Sequence, residues 1–143
     1  MEPLEQAKEQ LKNEESATLA VVYGSETFTS RARGIAPLMG ILADNPGLLR
    51  GASVADRIVG RAAAFLMAKG GVKELDTDIV SEPAVRALEG FGIRASYRTV
   101  TPSIVNREGT GLCPMEQTVL EITDPEEAYL ALGRKIAELR SRN

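Results

Sequence analysis

The chain has 143 residues, 43% of them hydrophobic and 26% charged, which is the composition of one globular domain spanning 1–143 with no need of disulfide or metal staples. A net charge of −3 excludes a global basic field for nucleic acid, and no apolar run reaches membrane-spanning length. With no histidine and one cysteine, Cys113, the chain cannot form an internal disulfide, transfer protons through imidazole or assemble a zinc site of the usual kind.

Residues 2–13 predict a short helix, with Pro3 in its first turn and Leu4, Ala7 and Leu11 along one stripe. ATLAVVY (17–23) is rich in strand formers, and Gly24-Ser25 suits a hairpin turn into ETFTS (26–30). A helix is expected over 34–47, with Pro37 early and Asn45-Pro46-Gly47 ending it. A longer helix follows, capped by Ser53 with Asp56 three positions on, and stopped at Gly70-Gly71. Its apolar face runs through Val54, Ile58, Ala62 and Phe65.

The remainder alternates. A strand is expected over 72–80, a helix capped by Ser81 that ends near Gly90 or Gly92, and a half-buried strand over 93–100. SIVN (103–106) reads as a short further strand and REGTG (107–111) as a loop. Pro114 makes Cys113 the N-cap of a helix over 114–122. Asp124 opens a last helix whose stripe is Tyr129, Leu132, Ile136 and Leu139. Strands alternating with helices predict an α/β layer structure with a sheet covered on both faces.

Two stretches carry chemistry. DRIVGRAAA (56–64), read as a helix start, holds Arg57 and Arg61 four apart, so on one face, with no acidic residue three or four positions away to pair them. Gly60 between them permits close approach of a backbone or ligand. This pattern predicts an anion clamp of two guanidiniums and helix N-terminal amides around a phosphate or carboxylate. The bland reading pairs both arginines with protein carboxylates and gives Gly60 to helix–sheet packing.

NREGTGLCPME (106–116) is a glycine-containing loop running into a helix start, an arrangement by which amides hold phosphate, although it lacks the lysine and spacing of a P-loop. Cys113 stands where a helix start lowers a thiol pKa, or is a small buried residue that tolerates the cap position. Glu116 can reach back to the Cys113 amide or serve as a site carboxylate. LDTD (75–78) places Asp76 and Asp78 on one face of a strand, where a solvated edge explains them.

SVADRIVGRAAAFLMAKGGVKEL, SEPAVRALEGFGIRASY and NREGTGLCPME, in that order over roughly 15–122, resemble a family of small prokaryotic proteins of unassigned function. That family is placed in the cytidine-deaminase-like superfamily. The resemblance implies a three-layer α/β/α sandwich around a five-stranded mixed sheet. It also implies a cleft between two helix starts that accepts a nucleoside or nucleotide in the active relatives. Those relatives hold zinc with a His/Cys-x-Glu motif and a Pro-Cys-x-x-Cys motif. Here the second motif matches as Pro83-Ala84-Val85-Arg86-Ala87, with alanine at both cysteine positions. No catalytic residue carries over, and no zinc is expected.

The reading that follows is a cytoplasmic binding protein for a small phosphorylated, nucleotide-like ligand, with ADP-ribose among the candidates. Its contacts are Asp56, Arg57, Gly60, Arg61, Ser81, Glu82, Asn106, Arg107, Thr110, Gly111 and Cys113. One alternative is a metal-independent or magnesium-dependent hydrolase or transferase using Asp56, Glu82 or Glu116. Another is a homo-oligomeric assembly protein joined through the terminal helices, 2–13 and 124–142.

Overall fold

The computed structural model describes residues 1–142. Helix α1 (Pro3–Asn13) leads into an antiparallel hairpin of β1 (Leu19–Tyr23) and β2 (Glu26–Ser30). Helix α2 (Ala36–Asp44) and a 3-10 turn over Pro46–Leu49 precede β3 (Ser53–Val59). Two crossover units follow: α3 (Arg61–Gly70) into β4 (Glu74–Ser81), then α4 (Glu82–Gly90) into β5 (Arg94–Thr101). A loop leads to α5 (Pro114–Thr118) and the closing helix α6 (Pro125–Ser141).

The five strands form one mixed sheet in the order β2-β1-β3-β4-β5, antiparallel through β3 and parallel from β3 to β5. Successive residues of β1 alternate between two cores, as a strand's period of two requires. Leu19 and Val21 join Val54 and Leu75 in the larger core with α2, α3, α4 and α6. Ala20, Val22 and Ala55 meet Ala7 and Leu11 of α1 in a smaller one. Helices therefore lie on both faces of the sheet.

The largest departure from the sequence reading is at 53–59. The expected helix begins only at Arg61; Ser53–Val59 is the central strand, paired to β1 on one side and β4 on the other. Val54 and Ile58 fit a helical stripe, and Ser53–Asp56 are buried on both faces of the sheet, so no alternation marks the strand, and short apolar runs do not separate the two periods. Ser53 is no helix cap: its hydroxyl donates to Glu74 at 2.6 Å across the sheet. The expected strand over 103–106 reduces to one isolated bridge, Val105 to Leu112, so the five-strand total has a different membership. The helix expected over 114–122 ends at Thr118.

On the α1 side, β4 and β5 carry rows of polar side chains. Arg94 donates to Glu74 at 2.7 Å, Ser96 to Asp76 at 2.7 Å, and Arg98 bridges Asp76 and Asp78. Asp76 is buried, so its hydrogen bonds matter to the fold and it is not merely part of a solvated edge. β5 itself is exposed along nearly its whole length.

Candidate functional site

The site grows from the junction of β3 and α3. Gly60 is the N-cap of α3 in an extended conformation, φ −104° and ψ −176°, and has no side chain with which to cap the helix. Helix amides at N1 and N2 then lack partners. A side chain distant in sequence supplies them: the Arg61 and Ala62 N–H groups donate to Oε1 and Oε2 of Glu116, both at 2.8 Å. Glu116 is buried, and its negative charge complements the positive end of the helix. A Cβ at residue 60 would lie 2.6 Å from the Glu116 carboxyl carbon. Gly60 permits a close approach as its sequence context suggests, and the group that approaches is an internal carboxylate.

The two arginines flanking Gly60 face different parts of the molecule. Arg57, on β3, donates from Nε to the Ala17 carbonyl at 2.7 Å and from Nη2 to those of Leu11, Glu14 and Glu15. It ties the end of α1 and its following turn to the sheet. Arg61 donates to the carbonyls of Val119 and Ile122, at 3.0 and 2.5 Å, and its guanidinium lies 4.4 Å from the Phe65 ring centroid. The expected clamp of two guanidiniums is thus corrected. Arg57 is on a strand and Arg61 on a helix, so they do not share a helical face, and backbone carbonyls take up their Nε and Nη2 donors.

Beside this junction opens a cavity of about 440 Å³. Asp56 and Gly60 form its sheet side, Ile35 and Met115 its apolar walls, and Ile104, Val105 and Arg107 come from the loop after β5. Asp56 is 9% exposed, and backbone amides, those of Arg57 and Ile58, are the hydrogen-bond partners of its carboxyl among the described residues. Burial pushes its carboxyl up from 3.8 to about 7, while the Arg57 and Ile58 amides and the Arg57 charge pull it part of the way back. The thiol of Cys113 and the carboxylate of Glu116 also line the space. Arg107 is exposed and forms no ion pair among the described residues.

Residues 6–136 match the family model described as TM1506, domain of unknown function (DUF1893). The chain belongs to the DUF1893 family. Its fold is similar to the crystal structure of a DUF1893 family protein (TM1506) from Thermotoga maritima, with a TM-score of 0.83 and 28% sequence identity. That likeness covers 93% of this chain and 89% of the Thermotoga protein. No curated protein matches the chain.

In this DUF1893 chain, the cavity gathers five of the eleven expected contacts, Asp56, Arg57, Gly60, Arg107 and Cys113, together with Glu116. Others are placed elsewhere. Arg61 is turned to the α5–α6 connection. Ser81 is fully buried and accepts from the Ala84 amide as the N-cap of α4, a structural task. Glu82 lies exposed in the first turn of that helix. Asn106, Thr110 and Gly111 bond to one another: Asn106 Oδ1 accepts from the Thr110 amide at 3.0 Å, and the Gly111 carbonyl from the Asn106 amide at 2.8 Å. Sequence reasoning missed the walls, Ile35 and Met115, and the task of Glu116, which caps α3 and not the Cys113 amide. A carboxylate three residues past an N-cap normally signals a local capping box, so the pattern pointed to the wrong helix. Among the described residues no group of three or more acidic, Cys or His side chains is placed to hold a metal ion.

Proposed function

We propose that the cavity at the end of β3 binds a small, phosphate-bearing, nucleotide-like ligand, and that this chain does not perform zinc-dependent deamination. The observation that carries the reading is Asp56. A nine-tenths buried carboxyl with no side-chain partner, titrating near neutrality, opens on an apolar-walled space of small-ligand size. Near pH 7 such a carboxyl offers both an O–H donor and a carbonyl acceptor, which complements the paired donor and acceptor on the edge of a nucleobase-like ring. Arg107, exposed on the cavity lining and without an ion pair among the described residues, supplies the charge for a phosphate.

The sheet order and the two β-α-β crossovers support a cytidine-deaminase-like assignment for the fold. The residues present do not fit that superfamily's zinc. The α4 start offers Ala84 and Ala87, both buried and without donor atoms, and the α3 amides are bonded to Glu116.

Thermal unfolding with a panel of mononucleotides and ADP-ribose tests the binding reading. A cognate ligand raises Tm. Arg107→Ala and Asp56→Ala each remove that shift. No shift with any member at millimolar concentration defeats the reading. A second reading, hydrolytic or group-transfer chemistry with Asp56 as general base, draws on the same near-neutral carboxyl. Its mark is turnover lost in Asp56→Asn with binding retained.

A further inference from the structure

Helices α2 and α6 do not close on one another, and between them lies a groove of about 780 Å³. Its walls are half-buried apolar side chains: Met39, Met115, Tyr129, Ile136 and Leu139. Each wall helix also carries a glycine on the groove, Gly40 in α2 and Gly133 in α6. Glycine is the poorest helix former after proline, so it needs a reason to stand in a helix interior. The fold supplies none here. Neither glycine has a positive φ; a Cβ at Gly40 meets nothing within 4 Å, and one at Gly133 makes only an ordinary contact, 3.9 Å, with Met39. Both absences of a side chain widen the groove.

The charge around it is one-sided. Arg33, Arg107 and Arg140 line the groove, and none forms an ion pair among the described residues. Among the described residues no Asp, Glu, Asn, Gln, Ser or Thr lines it, and the Tyr129 hydroxyl is the one oxygen its side chains offer to the several hydroxyls of a sugar. Apolar walls with unpaired guanidiniums complement a molecule with an aliphatic body and an anionic head.

We propose that the α2–α6 groove binds a free aliphatic anion, a medium- to long-chain carboxylate or alkyl phosphate, with the head group at the arginines and the chain along Gly40 and Gly133. The groove shares Gly34, Ile35, Met115 and Arg107 with the Asp56 cavity, and a phosphate held there would compete for Arg107; Arg33 and Arg140 belong to the groove and not to that cavity.

Isothermal titration with decanoate and decyl phosphate, both below micelle formation, tests it. Saturable one-to-one binding is expected for both. Gly40→Phe adds a ring at a position where a Cβ meets nothing within 4 Å and should weaken it at least tenfold, with unfolding curves confirming that the variant folds. Arg33→Ala with Arg140→Ala should weaken the anions tenfold while leaving decanol binding unchanged. Unsaturable or absent binding overturns the proposal, as does binding that Gly40→Phe leaves intact. Capture by phosphatidylglycerol vesicles without binding of soluble decanoate reassigns the groove to a membrane surface. A dimer that Gly40→Phe converts to monomer, with no decanoate binding, reassigns it to a second copy of the chain. Mononucleotide titrations of Gly40→Phe report the Asp56 cavity separately.

Discussion

The Glu116 carboxylate stands where a side chain on residue 60 would stand. The two residues are far apart in sequence, yet a Cβ at Gly60 would fall 2.6 Å from both the carboxyl carbon and Oε1. Because the far end of a glutamate is flexible, Gly60→Ala need not break the backbone. It must move Glu116 off the Arg61 and Ala62 amides, which costs about 1–3 kcal/mol for buried donors left unpaired. Glu116→Ala should cost a similar amount. The double variant should cost little more than either alone, because the first change already removes what the second would disturb. Urea unfolding of the four proteins checks this, and additive losses would show the two residues to be independent.

Asp56 gives the fold a pH dependence of unusual direction. In the unfolded chain it titrates near the ordinary carboxylate value, about 4; in the folded chain it titrates near 7. Between those values the folded chain holds a proton that the unfolded chain has released. Its contribution to stability is therefore fully present below about pH 4, declines as pH rises toward 7 and is lost above it. The slope approaches about 1.4 kcal/mol per pH unit at most. The difference in unfolding free energy between wild type and Asp56→Asn, followed from pH 4.5 to 8, isolates it. A flat difference would show that Asp56 titrates normally.

Arg57 is a clasp for α1. Removing its guanidinium takes a donor from the Leu11, Glu14, Glu15 and Ala17 carbonyls, of which Glu14 still accepts from the Ala17 amide. Arg57→Ala should destabilise the protein by about 2–3 kcal/mol. Hydrogen exchange should quicken over 3–17 first. Arg57→Lys restores the charge but not the fork of donors, and should recover less than half of the loss. Equal exchange in wild type and Arg57→Ala would remove the clasp from the account.

Cys113 reports on occupancy. Its thiol is half-buried on the wall of the Asp56 cavity. Bound ligand should slow its alkylation by iodoacetamide several-fold, and Cys113→Ser should abolish labelling without abolishing the thermal shift. Labelling at an unchanged rate in the presence of a ligand that raises Tm would place that ligand elsewhere.

The sequence legibility of this molecule follows physical range. Short-range signals were readable: Ser81 and Asp124 cap the helices they precede, and the Gly24-Ser25 turn joins two strands. The stretch 53–59 carries no legible strand signal because a central strand is buried on both faces over most of its length, which erases the alternation that marks a half-buried strand. A helix over this stretch would set Arg57 and Arg61 on one face, which is what predicts a shared ligand. Their real partners, carbonyls on α1 and beyond α5, leave no mark in local sequence, since every residue has a carbonyl. The cavity was half legible. Asp56 and Cys113 stood out by chemistry, whereas Ile35 and Met115 are apolar residues like dozens of others until the fold sets them against the same space.

The bare fifth strand has a consequence for solubility. An uncovered edge is an invitation to sheet extension from chain to chain, the route to insoluble fibres. Arg94 and Arg98 project from β5 and are held by Glu74, Asp76 and Asp78 on β4. An incoming strand would crowd these guanidiniums against its own side chains or strip them of water, and either costs more than one added ladder returns. The same ion pairs that lock Asp76 into the sheet thus keep its border closed to growth.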